Sequence, residues 1–332
     1  MLGIKILGTG AYAPEKIVTN EDFTRVVETS DEWIYTRTGM KKRHISQGEP
    51  TWYMGACAAK KAIEGAGIDA SEIGLIIDTT VTQDYFTPST ACIIQNEIGA
   101  NGSMAIDVNA ACAGFVYAID MARRYLVTDE SIKYALVIAN EKLSKLTDYT
   151  DRSTCVLFGD AAAACVVALD SDTVYTSHLG ADGAGAKFLF AKSIECDNPF
   201  MTEDKTHIEC SIPDTDNHFL HQSGKDVYKF AIKALPEAVR AAAKKINMEI
   251  GGIDFIIPHQ ANIRIIETAA DNLGVSMDKF YINMQDYGNT SSASIPLAFD
   301  EAIKEGKIKR GDIVCFVGFG AGLTYGATIF KY

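Results

Sequence analysis

No stretch of the chain's 332 residues reaches the length of a membrane helix. The longest uninterrupted apolar run, Ala161 to Leu169, stops far short of the roughly 20 residues a bilayer span needs. Lys5 interrupts the N-terminal segment where a signal-peptide core would lie, so the protein is expected to be unsecreted and not inserted in a membrane. Its eight cysteines include no Cys-x-x-Cys pair, the nearest two lying ten positions apart, which removes the common zinc-ribbon and dithiol redox signatures. A chain of this size needs no disulfide staples, and a reducing cytoplasm is the expected compartment. Positive charge is in deficit: 31 Lys and Arg stand against 43 Asp and Glu, a net charge of −12 that excludes general affinity for nucleic acid or anionic membrane. An acidic partner would need a local basic patch. Lys225, Lys229 and Lys233, spaced i, i+4, i+8 and followed by Arg240, Lys244 and Lys245, supply one. Pro236 is expected to kink or divide that helix, and a solvated helix face explains the same charges without a partner.

With 47% hydrophobic residues the chain can bury a large core. Within it, Cys112 sits in the small-residue run Asp107-Val108-Asn109-Ala110-Ala111-Cys112-Ala113-Gly114. Phe115, Ala118, Ile119, Ala122 and Leu126 follow at helical spacing, which puts Cys112 at a helix N-terminus, where unpaired N–H groups and the macrodipole favour a thiolate. The segment suits a nucleophile and a buried structural cysteine equally well, so partners elsewhere must decide.

The chain repeats itself. Ala58-Ala59-Lys60-Lys61 precedes the apolar stretch Ile73 to Ile77, and Ala242-Ala243-Lys244-Lys245 precedes Ile253 to Ile257. Helical segments ending at Gly99 and Gly274 follow, then small-residue loops that hold Cys112 and Asn289 at approximately equivalent positions. Tyr134 to Ala139 then matches Asp312 to Val317, and Ala161 to Leu169 matches Thr324 to Phe330, at an offset of about 175 residues. Strands alternating with helices at so long a period predict an α/β protein of two similar halves, 1–170 and 171–332, whose loops can converge on one site.

The segment from about 171 to 222 fits the repeat poorly and carries Cys196, His207, Cys210, His218 and His221. Their spacings match no zinc signature, and a surface excursion is the preferred reading over a metal site. Gly8-x-Gly10-x-x-Ala13 resembles a dinucleotide fingerprint, but Pro14 follows and no helical period begins until after Asn20, so a nucleotide site there is rejected. His259, after the strand-like run Phe255 to Pro258, is placed to point into a cleft, with Asn262 as cap of the next helix. Taken singly, this histidine and Asn289 have ordinary structural uses; placed together by a repeat, they point to a site with Cys112.

Cys112 in Ala-Ala-Cys-Ala-Gly-Phe, His259 in Pro-His-Gln-Ala-Asn and Asn289 in Tyr-Gly-Asn-Thr-Ser-Ser-Ala-Ser make the chain resemble β-ketoacyl-acyl-carrier-protein synthase III over essentially its whole length, with Ser30 to Gly39 and Phe158-Gly159-Asp160 as further matches. The resemblance implies a thiolase fold, a duplicated five-layered α/β/α/β/α arrangement, and a homodimer that starts fatty-acid synthesis. It implies an acyl-CoA primer loaded on Cys112 and extended by decarboxylative condensation with malonyl-acyl carrier protein. No metal or redox cofactor is called for, acyl-CoA being a substrate. His259 and Asn289 would polarise the malonyl thioester, and backbone N–H groups of Cys112 and Ala321, in Gly318-Phe319-Gly320-Ala321-Gly322, would hold the oxyanion.

The same resemblance carries coenzyme A contacts onto Trp33, Arg37, Arg152, Gly224 and Asn262, carrier docking onto Lys229 and Arg264, and a wall of the acyl pocket onto Thr87. Three departures stand out. Asp271 replaces a lysine that some relatives use in docking, Ala321 replaces a glycine, and Thr87 replaces a bulky aromatic common in relatives restricted to short primers. The alternatives are a secondary-metabolic acyltransferase or ketosynthase with another primer or acceptor, and a non-catalytic carrier-binding partner; an intact Cys112, His259 and Asn289 weigh against the second.

Overall fold

The computed structural model describes residues 2–171, 173–195, 199–200 and 210–332. Cys196 and His207 lie outside the described residues.

In the first half a five-stranded sheet runs β1 (Gly3–Tyr12), β2 (Ile73–Thr79), β3 (Met104–Val108), β4 (Tyr134–Lys142) and β5 (Asp160–Asp170) in chain order, arranged β1-β5-β4-β2-β3 across the sheet. β4, β2 and β3 are parallel, joined by helical crossovers, while β5 lies antiparallel to both its neighbours. Alternation decides the faces: Leu75, Ile77, Val137 and Ala139 face inward, and Ile76, Leu136 and Ile138 face outward. The helices α1 (Thr51–Ala66) and α2 (Thr90–Ile98) cover the outer face, and α3 (Gly114–Thr128) covers the inner one.

The glycines read as a weak nucleotide fingerprint have a packing role. β1 runs straight through them, and a Cβ at Gly8 or Gly10 would lie 2.3 Å from the Ala62 carbonyl oxygen or 2.4 Å from that of Ala58 on α1.

The second half repeats the plan with β6 (Tyr175–Ala181), β7 (Phe255–Pro258), β8 (Ile313–Gly320) and β9 (Thr324–Lys331) in the order β6-β9-β8-β7. A parallel bridge from Ile256 to Phe280 stands where β3 stands in the first sheet. α4 (Gly224–Lys244) and α5 (Ile263–Leu273) lie outside, and α6 (Ser294–Lys304) lies inside beside α3. α3 and α6 share one core between the two sheets, where the Phe115 and Phe316 rings meet at 5.6 Å between centroids and Phe299 packs edge-on to Phe316. The five layers are those of the thiolase fold.

Two expectations need correction. Pro236 does not divide α4, which continues through it; the carbonyl of Ile232, deprived of its i+4 donor, accepts a hydrogen bond from Asn272 Nδ2 at 3.1 Å instead. The repeat is also in a different register at the site. Single 3₁₀ turns, Ala111–Ala113 and Ser291–Ala293, lead into α3 and α6, and Ala111 (φ 46°) and Ser291 (φ 51°) both adopt the left-handed conformation. Cys112 therefore corresponds to Ser292, and Asn289 corresponds to Asn109. Each asparagine accepts from the N–H two residues ahead, Ala111 at 3.2 Å and Ser291 at 2.9 Å. The small-residue composition of both loops signals the match but cannot fix its register.

Candidate active site

Both special turns open onto one cavity of about 1590 Å³ at the junction of the halves, bordered by Cys112, His259, Asn289, Phe319 and Ala321. Cys112 sits in the turn that precedes α3, with the end of β8 pressed against it: a Cβ on Gly320 would lie 2.5 Å from the Cys112 nitrogen. Glycine at 320 is what allows that approach. The thiol is not the standing thiolate expected at a helix N-terminus. Burial pushes it up to about 12, against the opposing effect of a hydrogen bond with the Ser291 side chain. Desolvation outweighs the helix end here because the turn lies deep between the two sheets.

His259 extends the line of β7, its N–H donating to the Val317 carbonyl at 2.8 Å, and its ring meets Phe319 edge-to-face at 5.4 Å. Burial lowers its pKa to about 3, so the ring is neutral at physiological pH. Ser294 is its hydrogen-bond partner: the Ser294 hydroxyl, which accepts from the Gln260 N–H at 3.2 Å, lies 2.8 Å from His259 Nδ1. With that hydroxyl donating to Nδ1, Nε2 carries the N–H and is the free donor.

Asn289 is held by the Phe158-Gly159-Asp160 segment. Its N–H donates to the Leu157 carbonyl at 2.8 Å, and its own carbonyl accepts from the Gly159 N–H at 3.0 Å. A Cβ on Gly159 would strike the Tyr287 carbonyl oxygen at 2.3 Å, which explains the glycine of that motif. With Oδ1 occupied by the Ser291 N–H, the carboxamide is fixed so that Nδ2 is its donor. The site thus offers one thiol and two neutral N–H donors.

Ala321 in place of glycine carries no left-handed strain, since among the described residues the positive-φ non-glycines are Ala111, Asn247 and Ser291; the left-handed angle falls on Gly322 (φ 135°). At the cavity mouth the Arg37 and Arg152 guanidiniums lie over the Trp33 indole at 4.5 and 4.7 Å from its centroid, so arginines occupy the indole face here. Asn262 caps α5 through the Arg264 N–H and donates to the Arg37 carbonyl at 2.9 Å, committing both ends of its carboxamide. Gly224 begins α4, and a Cβ there would meet nothing within 4 Å, so the protein's own packing does not demand glycine. Thr87 borders the cavity beside the exposed Phe86. Lys229 and Arg264 are exposed, Lys229 lying 3.7 Å from Asp226 and Arg264 donating to the Thr36 carbonyl at 2.8 Å. Leu189, Phe190, Leu220 and Gln222 show that the described part of the polar excursion forms a wall of the cavity, a position its composition did not reveal.

Sequence reasoning quoted Ser291 and Ser294 only as context and missed Glu141, a buried carboxylate at the end of β4. No metal-ligand cluster of three His, Cys, Asp or Glu occurs among the described residues, and no described helix is long and apolar enough to cross a membrane.

Two duplicated sheets with a cysteine, a neutral histidine and an asparagine bordering one cavity define a thiolase-fold condensing enzyme. Comparison with known proteins narrows the class. The family model 3-oxoacyl-[acyl-carrier-protein] synthase III matches residues 106–183, and its C-terminal counterpart matches residues 243–332. A β-ketoacyl-[acyl-carrier-protein] synthase III of Clostridium acetobutylicum is 47% identical, covering 100% of this chain and 99% of that protein; one from Clostridium novyi is 44% identical with 100% of both covered. The crystal structure of 3-oxoacyl-[acyl-carrier-protein] synthase III from Aquifex aeolicus superposes with a TM-score of 0.90 at 41% identity, covering 99% of this chain and 100% of that one. The chain belongs to the β-ketoacyl-acyl-carrier-protein synthase III family and is a condensing acyltransferase of fatty-acid biosynthesis.

Proposed function

We propose that the protein loads an acyl group from acyl-CoA onto Cys112 and condenses it with malonyl-acyl carrier protein, releasing carbon dioxide and a β-ketoacyl-carrier protein. The observation that carries this reading is the pair of neutral donors, His259 Nε2 and Asn289 Nδ2, bordering the same cavity as the thiol. Exchange of one thioester for another is nearly isoenergetic, so loading needs a nucleophile and no external energy source. The malonyl thioester oxygen is then held by the two donors as its carboxylate leaves as carbon dioxide. Neutral donors stabilise the enolate without repelling it, as a carboxylate would. The enolate carbon attacks acyl-Cys112, the backbone N–H groups of Cys112 and Ala321 receive the oxyanion, and collapse expels the Cys112 thiolate. The cysteine, two donors and backbone amides account for each step without a further cofactor.

Trp33, Arg37 and Arg152 form the proposed nucleotide clamp, which requires an adenine to displace or sandwich the guanidiniums now on the indole. Gly224 and Asn262 are proposed to border the pantetheine path. The open edge of β3 is where a second copy can extend the sheet to form the proposed homodimer. A cytoplasmic setting suits the free thiol. Thr87, where an aromatic would narrow the cavity, supports acceptance of primers longer than acetyl.

The test is intact-protein mass spectrometry after incubation with acetyl-, isobutyryl-, hexanoyl- and longer acyl-CoAs, followed by malonyl-acyl carrier protein. The expected result is a single acyl increment that ranks the primers and disappears as β-ketoacyl carrier forms; a protein that takes up no acyl group defeats the reading.

Carrier docking gives a separate expectation. Lys225, Lys229 and Lys233 are exposed on α4, and Arg264 opens α5. Charge reversal at Lys229 or Arg264 should raise KM for malonyl-acyl carrier protein several-fold, more at low than at high salt, with primer loading nearly unchanged. Equal losses in both half-reactions would remove these residues from docking.

A further inference from the structure

Near the end of β4, the middle strand of the first sheet, Glu141 pairs with Ala161 of β5 and is fully buried. No cation lies within ion-pairing distance of its carboxylate among the described residues. Glu141 does not itself border the cavity, yet it reaches two segments that do. Oε2 accepts from the Val81 N–H at 3.1 Å and from Thr82 Oγ1 at 2.8 Å, at the start of the segment that runs along the cavity to Thr87. Oε1 accepts from Ser291 Oγ at 3.0 Å and Ser292 Oγ at 2.9 Å, in the turn whose Ser291 N–H fixes Asn289. Each oxygen thus serves a different half of the molecule. Lys145 secures the first segment from its other side, donating to the Thr82 carbonyl at 2.8 Å and pairing with Asp84 at 2.5 Å, but these groups all belong to the first half. Ser292 adds a bond to the Thr79 carbonyl at 3.1 Å. Glu141 holds the primer side and the donor turn at once.

We propose that Glu141 is a positioning residue that sets the primer-side wall of the cavity in register with the Asn289 donor, so that acyl-chain selection and condensation both depend on it. The inference rests on the acyl-loading reading above. A carboxylate suits the task because it only accepts: donors from two loops, 60 and 150 residues away in the chain, converge on one point of a rigid strand. Four donors occupy its lone pairs, which makes it a support and not a base. The role calls for acceptor geometry, not charge. In Glu141→Gln the amide oxygen can face Val81 and Thr82. The Thr82 hydroxyl proton is directed there because Thr82 Oγ1 already accepts from the Lys142 N–H at 2.8 Å. The amide N–H groups then meet the two serine hydroxyls, which can turn to accept.

The test measures the two half-reactions separately: loading from acetyl- and hexanoyl-CoA, and condensation of chemically preacylated protein with malonyl-acyl carrier protein. Glu141→Gln should keep both the hexanoyl-to-acetyl loading ratio and the condensation rate close to those of the unaltered protein. Glu141→Leu, which fills the space without an acceptor, should change the ratio several-fold and slow condensation about 10²-fold, the cost of a misplacement of roughly 1 Å. Two smaller cuts divide the effect. Thr82→Val should shift the primer ratio with little change in condensation, and Ser292→Ala should slow condensation while the primer ratio holds. A Gln variant as impaired as the Leu variant would make charge the requirement and overturn the positioning role. Thr82→Val and Ser292→Ala variants that lose both half-reactions equally, or neither, would overturn it as well, and they decide the matter even if Glu141→Leu does not fold. If the unaltered protein takes up no acyl group at all, the acyl-loading reading fails instead.

Discussion

Cys112→Ala is expected to gain no mass from any acyl-CoA, where the unaltered protein gains one acyl group. The contrast should be close to all-or-none, because among the described residues Cys112 is the one cysteine that borders the cavity. The remaining described thiols differ in ways that matter. Cys155, Cys165 and Cys315 are buried away from it, with Cys155 pushed up to about 11 by burial, Cys57 is half-buried on α1, and Cys92 and Cys210 are exposed; none of them borders that cavity. Exposed thiols can acquire acyl groups slowly and without saturation, whereas a nucleophile at a built site saturates with acyl-CoA. Saturable loading that persists in Cys112→Ala would transfer the nucleophile elsewhere. The substitution removes only a sulfur from a turn already made of alanines, so the variant should fold and keep the Thr324 Oγ1 bond to the Ala110 carbonyl that braces this turn.

The sequence made the architecture legible wherever one residue type had one physical use. Gly99 and Gly274 end α2 and α5 in left-handed conformations, as their positions after apolar helical runs require. The paired strand patterns anticipated two equivalent sheets, and the Cys112, His259 and Asn289 motifs anticipated the residues that border the cavity. What stayed hidden depends on long-range geometry. A helix N-terminus predicts an acidified thiol only if water reaches it, and depth between two sheets cannot be read from local composition. Glu141 looked like any charge at the end of an apolar strand until Ser291 and Ser292, about 150 residues away, met its carboxylate. Asn109 and Asn289 were both visible, yet the register joining them emerged only from the two matching left-handed turns.

Asn289→Ala should leave acyl loading nearly intact and slow condensation about 10² to 10³-fold, the usual loss when one preorganised oxyanion donor is removed. The asymmetry follows from where the carboxamide acts. Its Oδ1 is tied to the Ser291 N–H and its backbone to Leu157 and Gly159, so what alanine deletes from the reaction is the Nδ2 donor, needed when the malonyl thioester becomes an enolate. Loading uses the Cys112 side of the cavity and does not generate that enolate. Asn289→Asp sharpens the comparison: it preserves the size and the acceptor for Ser291 but places a carboxylate where negative charge must develop, so it should condense no faster than the alanine variant. The pH profile offers an independent reading of the same step. His259, lowered to about 3 by burial, binds no proton in the folded protein between pH 6.5 and 3, so its Nε2 donor persists as pH falls through 6.5 and condensation from preacylated enzyme should show no acid limb there. Stability has the opposite sensitivity: an unfolded His259 would take up a proton in that window, so the folded state loses stability as pH drops below 6.5. Condensation that fell with an apparent pKa near 6.5, at a pH where the protein remains folded, would mean that His259 works by exchanging a proton and not as a fixed neutral donor. An Asn289→Ala variant that lost loading and condensation in equal measure would place the asparagine in support of the Cys112 turn and not at the enolate.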